Sequence, residues 1–253
     1  MSEKRLAKSS RSKKFFKKNK AGRKFTQDIG RLSLRNNAPY VISGGQNTER
    51  FYFQHISSLK IQDLNVKPQF FQKEASYFKI FPQWIEKILG EDPDAKNYCV
   101  FDMDTVNGGS EQNKKNHRAF LEKVKSYIEN KRIVLCPSMP CFEYWFYLHF
   151  DKSIRSFRDC ESVTKCLEKH MRSFFPKSRE SLLDIIKAAK PLSNPNWVDQ
   201  LCNNEKLNYA IENAEINYNK IKKREELDKS SYSLVYLMFE TLKKKKDANS
   251  PAV

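Results

Sequence analysis

The alternation of apolar and polar stretches predicts that strands and helices alternate through the first 150 residues. Short apolar runs between polar or turn residues indicate buried strands at Tyr40–Ile42, Val66–Phe71, Tyr98–Phe101 and Ile133–Cys136. Between these runs, apolar residues recur at helical spacing in the segments 47–59, 75–89 and 111–127. Because alternating strands and helices are typical of a parallel sheet, the pattern predicts an α/β fold, mostly parallel and flanked by helices.

The second half of the chain is predicted to be mainly helical. All seven glycines lie at or before Gly109, and the rest of the chain is rich in Lys, Glu, Leu and Asn. The segment Pro137–Pro140 is predicted to end a strand, and a short buried helix is predicted over Cys141–Phe150. Further helices are predicted over 158–172, 178–189, 205–226 and 231–243. We therefore divide the chain into a tail (1–36), an α/β domain (37–155), a helical region (156–246) and a disordered end (247–253).

The positive charge of the chain is concentrated near its first residues. The net charge is +17, and residues 1–24 hold eleven Lys and Arg side chains against one acid. A lysine-rich segment with few apolar residues cannot offset its ordering entropy, so we expect disorder there. Its charge predicts an arm that contacts nucleic-acid phosphates, and a solubilising tail is the alternative. The basic residues predicted to make these contacts are Lys13, Lys14, Lys17, Lys18, Arg23 and Lys24.

Apolar content and cysteine placement favour a cytoplasmic protein. The longest apolar stretch, Cys141–Phe150, is too short to span a membrane, and no apolar segment follows the basic residues as in a signal peptide. The six cysteines include no CxxC pair. Cys99, Cys136 and Cys141 lie in apolar contexts, where a free thiol packs as a small hydrophobic group. We therefore expect a reducing compartment, no membrane contact and no zinc site.

The most informative chemistry in the sequence is the pair Asp102 and Asp104, which follows an apolar run. In open α/β sheets, ligands bind beyond the carboxyl ends of the strands. Two carboxylates two residues apart leave a strand on the same side, close enough to hold a divalent cation. Neither GxGxxG nor GxxxxGK is present, so the familiar phosphate-binding loops are not expected. The sequence thus predicts a site for Mg²⁺ or Mn²⁺.

Three stretches of the chain resemble the RloB-like family. They are Ser43-Gly44-Gly45-Gln46-Asn47-Thr48-Glu49 after the first strand, Val100-Phe101-Asp102-Met103-Asp104, and Ser138 through Phe150. Members of this family have a Toprim-type domain and accompany restriction or phage-defence loci, often beside an ATPase. The resemblance therefore implies a Mg²⁺-dependent nuclease that acts on DNA or RNA, with a defence ATPase as a partner.

The resemblance is incomplete at the first stretch. The family pattern Glu-Gly-Glu-x-Thr-Glu places its first and third residues at Gly44 and Gln46, while Gly45, Thr48 and Glu49 match. The strand-end glutamate of a Toprim site supplies a metal ligand or transfers a proton, and proton transfer contributes about 10²–10⁴ in rate. Gly44 can do neither.

Two further family positions also depart from the usual pattern. An acid that often follows the DxD is Thr105 here, and an asparagine of the third stretch is Met139. Either another acid takes the missing role, or the chain retains the fold with weakened activity.

The predicted catalytic residues combine the DxD with three other side chains. The DxD of the family corresponds to Asp102 and Asp104, and Glu49 is the third predicted metal ligand. Glu143 shares a helical face with apolar residues and needs a partner there, so it is an alternative source of the missing acid. His149 belongs to the third stretch, although its helical spacing with Phe142 and Trp145 favours a hydrogen-bonded core histidine over a catalytic one.

Two other functions are compatible with the same residues. The segment from Phe101 to Val106 also resembles the start of haloacid-dehalogenase phosphatases, in which Asp102 would be the nucleophile and Asp104 the acid or base. That fold places its DxD at the first core strand, whereas a strand and two helices are predicted to precede it here. The third alternative is a catalytically inactive module that binds nucleic acid or a partner enzyme.

Overall fold

A computed structural model describes the ranges 38–45, 47–68, 76–107, 109–151, 155–203 and 205–239. All of these residues belong to one unit, Asn37–Val253. The basic arm, with its six predicted nucleic-acid contacts, lies outside the described residues, as does the predicted disordered end. The proposed domain boundary at 155/156 stays a prediction.

The described residues form a five-stranded sheet. Its strands are β1 (Tyr40–Ser43), β2 (Asn65–Lys67), β3 (Asn97–Asp102), β4 (Ile133–Met139) and β5 (Tyr232–Ser233). The strand order is β2-β1-β3-β4-β5, in which the first four strands are parallel and β5 is antiparallel to β4. In this register Ser43 lies opposite Val100, so β1 and β3 end side by side. The predicted α/β fold with a mostly parallel sheet is confirmed.

Helices cover both faces of the sheet and make up most of the C-terminal region. They are α1 (Thr48–Ser58), α2 (Tyr77–Glu91), α3 (Asp104–Asn107), α4 (Glu111–Glu129), α5 (Glu143–Tyr147), α6 (Cys160–Met171), α7 (Leu182–Lys187), α8 (Ala189–Leu192), α9 (Asn196–Cys202) and α10 (Lys206–Lys223). None of the helices in the described ranges is long and apolar enough to cross a membrane.

The central strand β3 is apolar throughout because both of its faces are covered. Tyr98 and Val100 pack in a cluster with α1, α5 and the C-terminal helices, whereas Cys99 and Phe101 pack in a second cluster with α2 and α4. Successive side chains of a strand point to opposite faces, so a strand buried on both sides reads as a continuous apolar run. This is the pattern that predicted β3 from the sequence.

Two predictions about the strands were wrong. β4 does not end at Cys136 but continues through Pro137 to Met139, and the Pro137 carbonyl accepts a hydrogen bond from the Leu234 N–H at 2.9 Å. The segment 231–243 was predicted to be a helix, but Tyr232–Ser233 forms β5 and a 3₁₀ helix follows at Val235–Phe239. Pairing with the end of β4 outweighs the local helical preference of so short a segment.

Candidate functional site

The strand order places a crevice between the ends of β1 and β3. The chain builds the sheet outward from β1 to β2 and then returns to the other side of β1 with β3. The helices that follow these two strands therefore lie on opposite faces, with Phe53 of α1 in one apolar cluster and Phe120 of α4 in the other. Such a switch point, at the carboxyl ends of the strands, is where open α/β sheets bind ligands.

Four carboxylates from four elements gather at this edge. Asp102 is the last residue of β3, Asp104 begins α3, Glu49 lies in the first turn of α1, and Glu143 begins α5 after β4. Burial, followed by the charges of the other three acids, raises the pKa of Asp102, so the four groups lie close enough to interact electrostatically. Glu49 and Glu143 are 6% and 7% exposed, Asp102 is half-buried and Asp104 is exposed.

Asp102 is fixed by the backbone that follows β4. The Phe142 N–H donates to its Oδ1 at 2.7 Å. Backbone bonds from Met103 N–H to the Ser138 carbonyl and from Asp104 N–H to the Pro140 carbonyl, at 2.9 and 3.1 Å, join the same two segments. The stretch from Ser138 to Phe142 therefore holds the two aspartates in place.

At the end of β1, the acidic side chain comes from Glu49 in the helix that follows the strand. An added Cβ at Gly45 would overlap the Glu49 carboxylate, so the absence of a side chain at this position makes room for that group. The space beside Gly44 is filled in a different way, because a Cβ there would lie 3.3 Å from the Tyr77 Cβ and 3.4 Å from the Phe101 Cβ. Glu49 thus occupies the edge that a strand-end glutamate would otherwise serve.

Burial raises the pKa values of all four acids, and repulsion by neighbouring carboxylates adds to this effect at Glu49, Asp102 and Glu143. Burial, followed by the charges of Glu143 and Asp104, raises the pKa of Glu49 to about 7. Burial is also the main reason that the pKa values of Asp102, Asp104 and Glu143 are raised. Lys187 partly opposes this effect at Glu143. Buried carboxylates that repel one another are stabilised either by protons or by a cation.

The donor chemistry of these four side chains suits a hard divalent cation. Mg²⁺ prefers oxygen ligands, retains several waters, and is usually held by one or two carboxylates together with substrate phosphates. Within the ranges that the structure describes, the group of three potential ligand atoms lying within 4.8 Å of one another is Cys141, Glu143 and Cys160, and no three of the four carboxylates meet this limit. The cluster therefore fits a partly hydrated Mg²⁺ or Mn²⁺ better than a closed cage of protein ligands.

The expectation that Cys141 is a free thiol was wrong. Cys99 and Cys136 are buried thiols as expected, but Cys141 forms a disulfide with Cys160 at the start of α6. The fold brings Cys160 next to Cys141 across a sequence separation of 19, and no spacing rule in the sequence points to this pair. Its Sγ lies 3.2 Å from Glu143 Oε2.

His149 lies in the core and does not join the carboxylates. Its Nδ1 is 3.0 Å from the Trp145 carbonyl oxygen, which only accepts, so this nitrogen carries the hydrogen. Burial lowers the pKa of His149 to about 3, and the ring is therefore neutral at physiological pH. Its ring packs edge-on against Trp145. These contacts match the alternative of a core histidine, and a catalytic role for His149 stays a prediction.

Three residues near the site were missed from the sequence. Thr48 contacts Glu143 and donates to the Ile186 carbonyl at 2.9 Å. Lys187 is exposed beside Glu143, and its carbonyl accepts a hydrogen bond from the Asn47 amide at 2.8 Å. Cys160 is the third. Apart from the match of Thr48 to a family motif, the sequence holds no signal that places α7 or α6 at the end of β1.

Comparison with known proteins identifies a family for most of the chain. A family model described as RloB-like protein matches residues 40–242. The matched span contains all four carboxylates and the three stretches that surround them. Neither a curated protein nor a solved structure gives a significant match.

Proposed function

The chain belongs to the RloB-like protein family, and we propose that it is a divalent-cation-dependent nuclease with a Toprim-like site formed by Asp102, Asp104, Glu49 and Glu143. The observation that carries the proposal is the gathering of four acids with raised pKa values at the switch point between β1 and β3. In a Toprim arrangement an acid after one strand faces a DxD after its neighbour. Glu49 and the two aspartates stand in that relation here.

A bound Mg²⁺ or Mn²⁺ would polarise the phosphodiester and stabilise the charge that develops on its oxygens. Asp102, which the Phe142 N–H holds in place, would be the fixed ligand of this cation, whereas Asp104 is exposed to solvent. Burial brings the pKa of Glu49 to about 7 in the absence of metal, so this carboxyl group is the one suited to exchange a proton with a leaving oxygen. Lys187 adds a positive charge near Glu143 for a substrate phosphate.

A nuclease assay with matched variants tests this function. Wild type, Asp102→Ala and Asp104→Ala are compared on single- and double-stranded DNA and RNA, with Mg²⁺ or Mn²⁺. Asp94→Ala is the control, because Asp94 is an 86% exposed carboxylate that precedes β3 at the opposite edge of the sheet. We expect cleavage by the wild type and the control only. Cleavage by all four proteins would contradict the assignment of the site.

A non-catalytic binding module is the second candidate. It is favoured by the tight packing at Gly44 and by the absence of any three of these carboxylates within 4.8 Å of one another in the described part of the chain. Equal inactivity of wild type and Asp102→Ala, with nucleic-acid binding retained in both, would support it. Phosphate release from small phosphoesters that depends on Asp102 would instead indicate the phosphatase.

We also propose that the basic arm binds the nucleic acid and that the protein acts in the cytoplasm beside a defence ATPase. Residues 1–24 hold most of the excess positive charge. Each phosphate contact contributes about −0.9 to the slope of log affinity against log salt on duplex DNA. Deleting residues 1–24 should therefore weaken binding and flatten this slope by several units, measured by fluorescence anisotropy. An unchanged slope would show that the arm only aids solubility.

A further inference from the structure

Resting on the proposed cation site, we propose that Cys141 and Cys160 form a reversible disulfide whose reduction tightens the binding of a divalent cation through Glu143. The two sulfur atoms and the Glu143 carboxylate form the group of ligand atoms within 4.8 Å noted above. Cys141 is 1% exposed, while Cys160 is half-buried, so reagents reach the pair from the Cys160 side.

The redox state determines whether the Cys160 sulfur can donate a hydrogen bond to the Glu143 carboxylate. Cys160 Sγ lies 3.2 Å from Glu143 Oε2. A disulfide sulfur carries no hydrogen, so this contact is not a hydrogen bond while the disulfide is intact. A thiol at the same position donates its S–H to the carboxylate oxygen. Reduction therefore adds a donor that fixes the position of this carboxylate oxygen beside the proposed cation site.

Two other donors lie beside this carboxylate, the backbone N–H of Glu143 itself and the Thr48 hydroxyl. The Thr48 hydroxyl has one hydrogen, and its geometry directs that hydrogen to the Ile186 carbonyl at 2.9 Å. Glu143 is 7% exposed, so water does not freely take the place of a protein donor. The Cys160 thiol would therefore add a side-chain donor to the one that the Glu143 backbone already supplies.

The pair is also attached to the segment that holds Asp102. Cys141 immediately precedes Phe142, whose N–H donates to Asp102 Oδ1 at 2.7 Å, and Glu143 follows directly. The disulfide ties this segment to the first residue of α6. Two of the four carboxylates are therefore positioned by a segment whose covalent attachment changes with redox state.

The chemistry balances with a low-molecular-weight disulfide such as glutathione disulfide. Attack of one protein thiolate on that disulfide releases one glutathione, and attack of the second protein thiol on the mixed disulfide releases another. The protein loses two electrons and two hydrogens, and two glutathione thiols gain them. In a reducing cytoplasm, disulfides of this kind are usually transient and redox-sensing.

The test measures Mn²⁺ binding to the full chain in both redox states. The protein is equilibrated in glutathione buffers, its thiols are counted by alkylation and mass spectrometry, and Mn²⁺ affinity is measured by calorimetry. We expect the reduced protein to bind Mn²⁺ roughly threefold to tenfold more tightly, the effect of about one hydrogen bond. Added Mn²⁺ should shift the thiol–disulfide equilibrium toward the dithiol by the same factor.

Matched variants separate the effect of the Cys160 hydrogen-bond donor from the effect of losing the disulfide. Cys160→Ser retains a donor and cannot be oxidised, so it should bind Mn²⁺ as the reduced protein does in every buffer. Cys160→Ala lacks the donor and should bind as weakly as the oxidised protein. Cys166→Ser removes a free cysteine of the same helix and should leave the redox response intact.

Equal Mn²⁺ affinity in the two redox states, or equal affinity of Cys160→Ser and Cys160→Ala, would overturn the inference. If neither state binds Mn²⁺, this inference and the proposed cation site both fail. Redox-dependent Mn²⁺ binding without any nuclease activity would overturn the proposed nuclease and leave the redox coupling standing.

Discussion

The ends of β1 and β3 lie side by side but supply their acids in different ways. β3 ends in Asp102, and the backbone after β4 fixes that carboxylate through a 2.7 Å hydrogen bond. β1 ends near Gly44, which packs beneath Tyr77, and the acid comes from Glu49 in the first turn of α1. A carboxylate can therefore reach the same edge of a sheet either from the end of a strand or from the helix that follows it.

The two supports have different physical consequences. An aspartate at a strand end has a short side chain, and its direction is set by the register of the sheet. Glu49 has a longer side chain, and its place depends on the empty space above Gly45. We therefore expect Asp102 to act as a fixed ligand and Glu49 to act as the group that exchanges a proton.

The largest expected effects on nuclease activity come from replacing Asp102 at the end of β3, or Glu49 after β1, by the corresponding amide. Asp102→Asn should lower nuclease activity by roughly 10³-fold or more, because it removes the fixed ligand on which charge stabilisation depends. Glu49→Gln should lower activity by about 10²-fold, the low end of the range for proton transfer. The measurement is single-turnover cleavage with saturating Mn²⁺.

The form of the pH profile sharpens this comparison. The pKa of Glu49 is about 7 without metal, and a bound cation lowers it, so protonation of this carboxyl should make the rate depend on pH below 7. Glu49→Gln should abolish this dependence, whereas the residual activity of Asp102→Asn should keep it. Glu122→Gln on α4 changes an exposed glutamate and serves as the control. A larger loss from Glu49→Gln than from Asp102→Asn would reverse the roles assigned to the two strand ends.

The sequence predicted the region around β3 better than the region around β1. The apolar run before Asp102 is long enough to identify a strand buried on both faces, and two acids directly after it point to a site. Glu49 was also recognised, but as one of two alternatives, because an acid in a first helical turn is favoured by the helix dipole in any case. The space above Gly45 is visible only in three dimensions.

Long-range contacts explain what the sequence did not predict. Thr48 meets Ile186 across 138 positions, and Ser138 pairs with Ser233 across 95. No periodicity or spacing in a single sequence encodes such pairings, and a two-residue strand such as β5 is too short to show alternation. The Cys141–Cys160 disulfide was missed for the same reason.

The pH dependence of stability is the next largest effect. The pKa of Glu49 rises from 4.5 to about 7 on folding, so the folded state binds this proton more tightly. The stability that the proton contributes is fully present below pH 4.5 and is lost as the pH rises through 7. The Glu49→Gln variant has no titratable group at this position, so its stability does not fall with pH for this reason. Between pH 4.5 and 8 without metal, the variant should gain about 2–3 kcal/mol of unfolding free energy relative to wild type.

Urea unfolding with a chelator present measures this difference. Glu122→Gln should follow the wild type at every pH, since this glutamate is exposed on α4. Saturating Mn²⁺ should restore the stability of the wild type at pH 8 and have less effect on Glu49→Gln. Parallel stability curves for wild type and Glu49→Gln would mean that Glu49 is not held in a buried, acid-rich environment.

Alanine at the two neighbouring glycines gives the smallest expected effect and the most direct comparison. Neither Gly44 nor Gly45 has a positive φ, so alanine fits the backbone at both positions and the surrounding atoms decide the result. At Gly45 the new Cβ overlaps the Glu49 carboxylate and must displace it, which should weaken Mn²⁺ binding about tenfold, or about 1.4 kcal/mol.

At Gly44 the new Cβ lies 3.2 Å from the Val100 carbonyl oxygen and 3.3 Å from the Tyr77 Cβ, contacts that a shift of a few tenths of an ångström relieves. Gly44→Ala should therefore change Mn²⁺ affinity by less than about twofold, or about 0.4 kcal/mol. Calorimetry on both variants, with circular dichroism to verify folding, makes the comparison. If Gly44→Ala weakens binding more than Gly45→Ala does, the acid that serves the end of β1 is not Glu49, and Glu143 becomes the only one of the two glutamates left to fill that role.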